Sequence, residues 1–308
     1  MFRALVLGLA HTHGGTWMKR ILSGLFCVLL SGMAMADGSS AVRKSVQATM
    51  LVSGTVEVAA DGSVTHYTLD HPEELPKVVT GLLAQAVPAW RFKPVVVDGK
   101  PAAAKAPMSL RVVAKPQGNG NYSVSVVAVW FGDGAKNQSE TSAETISYKT
   151  RVQPVYPRDA ADRQVSGTVY VLLKVGRDGN VADAVAEQVN LRVVPSSNSE
   201  MVWCQRVLAD AALYAMKRDR FNLPTVGKDV NRPFWVARVP VTFTLNGDTR
   251  VAVREAAYGH WQAYVPGPVQ RPDWASGRGS SGNADAVPEG GALLADTSLD
   301  LLTPLGGS

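Results

Sequence analysis

Gln153-Pro154-Val155-Tyr156-Pro157, followed after Ala160 by Val165-Ser166-Gly167-Thr168-Val169 and then by Asp178-Gly179, is the stretch on which the fold turns. Pro154 and Pro157 lack backbone donors and fix φ, so the first segment is predicted as an extended loop or edge strand and not a helix. Residues 159–163 are long enough for one or two helical turns. From Val165 the apolar residues Val165, Val169, Val171, Leu173 and Val175 fall on alternate positions, which predicts a strand with one buried face. Asp178-Gly179 supplies the positive-φ residues of a tight turn, and Val181 begins the returning strand.

Val52-Ser53-Gly54-Thr55-Val56 repeats Val165 to Val169 residue for residue, and Asp61-Gly62 provides the matching turn after a shorter strand. A repeat of this kind governs the fold assignment. In the first copy Val52, Gly54, Val56 and Val58 share a strand face. Leu75, Val78 or Val79, Leu82, Ala86 and Trp90 form a helical stripe, with Pro72 at the helix start and Asp70 or His71 as its cap. The second copy has the same order: a capping box at Ser197 and Glu200, a stripe from Met201 to Ala215, and a closing strand through Trp235, Val239, Val241, Phe243 and Leu245.

Neither a strand face nor a helix stripe is buried by itself, so the expected fold class is α+β. Each repeat is a small two-layer domain, an antiparallel sheet packed on a helix. The domains span residues 49–114 and 151–254, joined by a connecting segment 115–150 in which Tyr122 to Phe131 alternates as a strand. Asn246-Gly247 predicts a hairpin leading to a further strand at 250–254. From Val265 the chain is rich in Gly, Pro, Ser and Ala without apolar periodicity, so residues 265–308 are expected to be a disordered tail.

Met18-Lys19-Arg20, the apolar run Ile21 to Leu30 and Ala34-Met35-Ala36 have the charged, apolar and small-residue regions of a secretory signal peptide. Residues 1–36 are therefore expected to be removed, with 1–17 an over-extended start before translation at Met18. Their loss takes three basic side chains and no acid, lowering the formal balance from +5 to +2. With so small an excess, nucleic acid is excluded as the expected partner. Cys27 leaves with the leader, and Cys204 is then the only thiol, placed by its helical spacing as a small buried hydrophobe.

No catalytic constellation emerges. His66, His71 and His260 lack the spacing of a metal shell, and no metal or other cofactor is expected. Glu73 and Glu74 are adjacent in a first helical turn, where acids complement the dipole, and Gly118-Asn119-Gly120 is a turn without the third glycine of a nucleotide loop. A non-enzymatic binding protein is the expected class.

The ordered set Gln153-Pro154-Val155-Tyr156-Pro157, Ala160, Gly167, Asp178-Gly179, Arg218-Asp219-Arg220-Phe221 and the apolar strand Val239 to Leu245 resembles the C-terminal domain of the TonB family of periplasmic energy transducers. The first half, with Trp90-Arg91-Phe92-Lys93-Pro94, resembles a degenerate second copy. The resemblance implies recognition of an extended segment of an envelope protein, outer-membrane receptors among them, by strand addition in the periplasm. It carries Gln153, Pro154, Tyr156 and Pro157 over as contact residues, with Val239, Val241 and Phe243 on the adjoining strand. On its residues alone Tyr156 serves equally as a pin holding the chain onto the helix.

The chain departs from the family's transducers in having Ser23 and Cys27 in place of a membrane-helix histidine, no proline-rich spacer before Thr49, and Asp219 where an apolar or aromatic residue is usual. A periplasmic interaction module is thus the leading expectation. The alternatives are an energy transducer anchored in the inner membrane through an uncleaved leader and a structural scaffold that binds the cell wall.

Overall fold

The computed structural model describes residues 46–119, 121–132, 143–227, 229–245, 258–276, 284–287, 292–295 and 299–305. The leader and the hairpin expected at 246–254 lie outside the described residues. None of the helices among the described residues is long and apolar enough to cross a membrane.

The first half runs β1 (Gln47–Val58), β2 (Val64–Leu69), α1 (Lys77–Ala86), a small hairpin of β3 (Val95–Val97) and β4 (Lys100–Ala102), then β5 (Ala104–Gly118) and β6 (Asn121–Phe131). The second runs β7 (Ser147–Thr150), α2 (Arg158–Asp162), β8 (Gly167–Val175), β9 (Val181–Leu191), α3 (Asn198–Met216), β10 (Arg220–Asn222) and β11 (Trp235–Phe243). Two short strands follow, β12 (Gln262–Tyr264) and β13 (Leu293–Leu294). The larger sheets have the orders β12-β1-β5-β6, with β2 also on β1, and β13-β11-β8-β9; β7 pairs with β10 and β3 with β4, every pairing being antiparallel. The described chain is a mixed helix-and-sheet structure of the α+β kind.

Both halves place their first strand between the second and third, β2-β1-β5 and β9-β8-β11. Their hairpin turns also match. Asp61 accepts from the Ser63 N–H at 2.9 Å, and Asp178 from the Asn180 N–H at 3.0 Å. Gly62 (φ 86°) and Gly179 (φ 75°) hold the left-handed conformation that glycine tolerates, and each carbonyl accepts the N–H of a phenylalanine, Phe92 or Phe221, at 2.8 Å. A Cβ on either glycine would lie 1.9 or 2.3 Å from that phenylalanine's carbonyl oxygen, so the turn and the strand after the helix approach as only glycine allows.

Three expectations are corrected. The helical stripe of the first half runs Leu75, Val79, Leu83, Val87, Trp90, with Val78 exposed and Leu82 only partly buried, because the chain begins as a 3-10 turn at Pro72–Glu74 and its α-helix starts at Lys77. Second, β8 is buried on both faces: Tyr170 and Leu172 are as enclosed as Val169 and Val171. Val169 to Leu173 is a continuous apolar run, the pattern of a strand covered on both sides. One face meets α3 through Cys204, Leu208, Ala212 and Ala215. The other meets Ala128 and Trp130 of β6 together with Ala284, Ala286 and Val287, so the second sheet lies in more than two layers.

Third, the described stretches beyond Val265 are packed rather than disordered. Val265 and Leu191 exchange backbone hydrogen bonds at 3.0 Å, Leu301 bridges Phe92, and Ala284, Asp285, Ala286, Val287 and Ala292 to Ala295 are buried. Asp285 ties the halves together: its side chain accepts from Asn190 of β9 and the Tyr264 hydroxyl of β12, while its carbonyl accepts from Arg111 of β5. Single residues delivered to pre-formed sheets and ion pairs leave no periodic trace in a sequence.

Candidate functional site

The segment 151–157 is held at both ends. Asp219, after the end of α3, accepts the Val152 N–H at 2.7 Å through Oδ1. At the other end Tyr156 lays its ring edge-on against Phe243, centroids 5.5 Å apart, and donates its hydroxyl to the Val165 carbonyl. Pro157 then starts α2, its carbonyl accepting from Ala160 and Ala161 at 3.1 and 2.9 Å. Burial raises the Tyr156 pKa, as expected of a phenol that spends its proton on a backbone acceptor.

The candidate contact residues therefore divide. Tyr156 and Phe243 are brought together, so the Gln-Pro-Val-Tyr-Pro segment crosses the C-terminal end of β11. Tyr156, Pro154 and Pro157 are half-buried, whereas Gln153 is exposed and Val155 is 80% exposed. Val239, Val241 and Phe243 point into the α3-side core at 0, 4 and 3% exposure, so their side chains face no partner. What β11 offers outward is backbone.

The outward side of β11 follows from one bond, Ala295 N–H to Val236 O at 2.9 Å. In an antiparallel ladder a residue directs its N–H and C=O to the same neighbour, and the direction alternates along the strand. Val236, Arg238, Pro240 and Thr242 accordingly face outward, while Ala237, Val239, Val241 and Phe243 face β8. Pro240 is placed where a missing donor costs no ladder bond to β8, as in an edge strand. Among the described residues, strand pairing on this outer side is confined to Ala237 and Arg238.

Residues 152–245 match the family model of the Gram-negative bacterial TonB protein C-terminal region. The match starts at the residue tied to Asp219 and ends just after β11, so it contains the Tyr156 segment, β8, β9, α3 and the candidate edge. No curated protein and no solved structure matches the chain.

Two features of this TonB-like half escaped sequence reasoning. Asp219 is 1% exposed, its Oδ2 has no hydrogen-bond partner among the described residues, and burial lifts its pKa to about 6 against the pull of the Val152 N–H and Arg151. Its departure from an apolar residue was the available signal. The second is the buried pair of Arg238 and Glu187, which joins the outer strands β11 and β9 through bonds of 2.6 and 2.8 Å. Elsewhere Cys204 is a free buried thiol whose pKa burial raises, as its helical spacing predicts. His71, Glu73 and Glu74 lie close enough for one ligand atom from each to fall within 4.8 Å of the others, although all three are exposed.

Proposed function

We propose that this protein is a periplasmic binding module whose TonB-like half takes up extended segments of envelope proteins, outer-membrane receptors among them, by adding a strand along the outer side of β11. The observation that carries this is the coincidence of the family match with an edge strand whose inner residues are core and whose outer side is backbone. Affinity at such an edge comes from main-chain pairing, and the Gln153 to Pro157 segment borders it through the Tyr156–Phe243 contact. The role needs no catalytic group or cofactor.

We infer further that the first half is a second copy of the same unit. Supporting this are the shared strand order, the paired Asp-Gly turns and the equivalent bonds of Phe92 to Gly62 and Phe221 to Gly179.

A photo-crosslinking residue at Val155 or at Leu245, both exposed and flanking the edge, is expected to trap envelope proteins in intact cells. One at Val202, exposed on α3, is expected to trap none. The same adducts from all three positions, or none from the first two, would sink the strand-addition reading.

A further inference from the structure

The outer side of β11 already carries a strand, and that strand is the chain's own tail. Leu293 pairs with Arg238 and Leu294 with Ala237. Successive strand residues point to opposite faces, and the two leucines fill different pockets. Leu294 and Ala292 join the α3-side core, whereas Leu293 packs with Ala128, Trp130 and Tyr170 on the other face. Ala295 rests on Leu172 and Val236. From Ala292 to Ala295 the exposures are 3, 7, 1 and 1%, so a segment without periodicity delivers four consecutive buried residues to one edge.

The strand is also a strap between two anchors. Upstream, Asp285 is fixed by Asn190, Tyr264 and Arg111. Downstream, Lys93 N–H donates to Asp300 O at 2.9 Å, Leu302 N–H to Arg91 O at 2.8 Å and Arg91 N–H to Thr303 Oγ1 at 2.7 Å. Release of β13 from β11 therefore leaves both ends of the strap attached.

We propose, on the premise that β11 is the docking edge, that Ala292-Leu293-Leu294-Ala295 is a tethered internal ligand which an incoming segment must displace. The same contacts state the chemistry of that segment: two consecutive aliphatic residues, one for each face of the sheet, flanked by small residues where close packing leaves room only for a methyl group. The tether supplies a high effective concentration to the Leu293–Leu294 ladder.

Ala237 and Leu294 suit a test. Ala237 directs its own N–H and C=O to β8, so it meets Leu294 as a non-hydrogen-bonded pair, whose close Cα atoms accept a cross-strand disulfide. The full chain carrying Ala237→Cys with Leu294→Cys is titrated by fluorescence anisotropy with a labelled Gly-Ala-Leu-Leu-Ala-Asp peptide, oxidised and then reduced. The reduced chain is expected to bind at least about 10-fold more tightly than the oxidised one, as is the Leu293→Asp, Leu294→Asp chain relative to the unaltered protein. Equal affinities in the oxidised and reduced states overturn the proposal, and because one protein is compared with itself, misfolding does not mimic the result.

Capture of envelope proteins from periplasmic extract separates this proposal from its premise. A released chain that binds the peptide tightly yet captures none keeps the tethered ligand and removes the docking role. Equal capture by oxidised and reduced chains removes the tethered ligand and keeps the docking role.

Discussion

The third strands of the two halves differ in what flanks them. β5 is paired on its outer side with β6 from Met108 to Gly118, whereas β11, among the described residues, is paired there at Ala237 and Arg238. A second difference accompanies the first. Trp90 and Asp219 both precede the Arg-Phe pair that closes on the hairpin glycine, and both N–H groups bond the carbonyl three residues back, Val87 or Met216. Trp90 packs against Phe131 of β6 with centroids 5.8 Å apart, while Asp219 fastens Val152. One arrangement thus packs its strand into an aromatic core, and the other fastens the segment 151–157 through Asp219. The two third strands differ in closure: one is paired along its length with β6, the other, among the described residues, at two positions.

The largest expected effect tests whether the tail belongs to the core at all. Truncation after Val265 removes Leu293, Leu294 and the Asp285 partner of part-buried Arg111, and is expected to cost about 5 kcal/mol or more. That is comparable with the whole stability of an ordinary domain, so the truncated chain is expected to lose its cooperative thermal transition. An unchanged thermal midpoint would restore the disordered tail.

The next test sets the two edges against each other. Phe131→Ala on β6 empties a site enclosed by Trp90 and Phe92 and is expected to cost about 3–5 kcal/mol. Leu294→Ala on β13 lies at the lower end of the buried-leucine range, about 2 kcal/mol, because a two-residue strand between anchors collapses more easily. Equal losses in chemical denaturation would make the cap a core element and break the comparison.

The smallest effect is a pH dependence confined to the TonB-like half. Burial raises the Asp219 carboxyl from 3.8 to about 6, so the folded state holds that proton more tightly than the unfolded one. The resulting stabilisation is fully present below pH 3.8 and is lost as pH rises through about 6. Asp219→Asn keeps an acceptor for Val152 without the charge. It is expected to be the more stable protein at pH 7.5, by on the order of 2 kcal/mol, and to converge with the parent near pH 4. Parallel stability curves across that range would show that Asp219 is not a buried ionisable tie.

Much of the fold was legible because its signals are local. The Asp-Gly turns, the β8–β9 hairpin and the strand at 121–131 each follow from a few neighbouring residues. The Ser197 cap is present too, its hydroxyl accepting the Glu200 N–H at 3.1 Å, although the Glu200 carboxylate turns to Ser196 instead of closing the box on Ser197. The site was legible only in part. Tyr156 was singled out, and it ties its segment to Val165 and to Phe243 of β11 where a pin onto the helix was expected, while Val239, Val241 and Phe243 were placed on the binding side when their side chains are core. Alternation shows that a strand has an apolar face; it does not reveal which backbone groups remain at an edge.

By itself the sequence determined the repeated Val-Ser-Gly-Thr-Val strands, the glycine turns and the Ser197 helix start, because each depends on side-chain period, on a capping side chain or on a conformation few residues tolerate. Only the tertiary structure decided that β8 is covered on both faces, that Asp285 joins the halves and that Leu293 and Leu294 cap β11. Those contacts link residues far apart in the chain. Two leucines among glycines and alanines are too few to carry a period, and their burial depends on pockets that exist only once both sheets have formed.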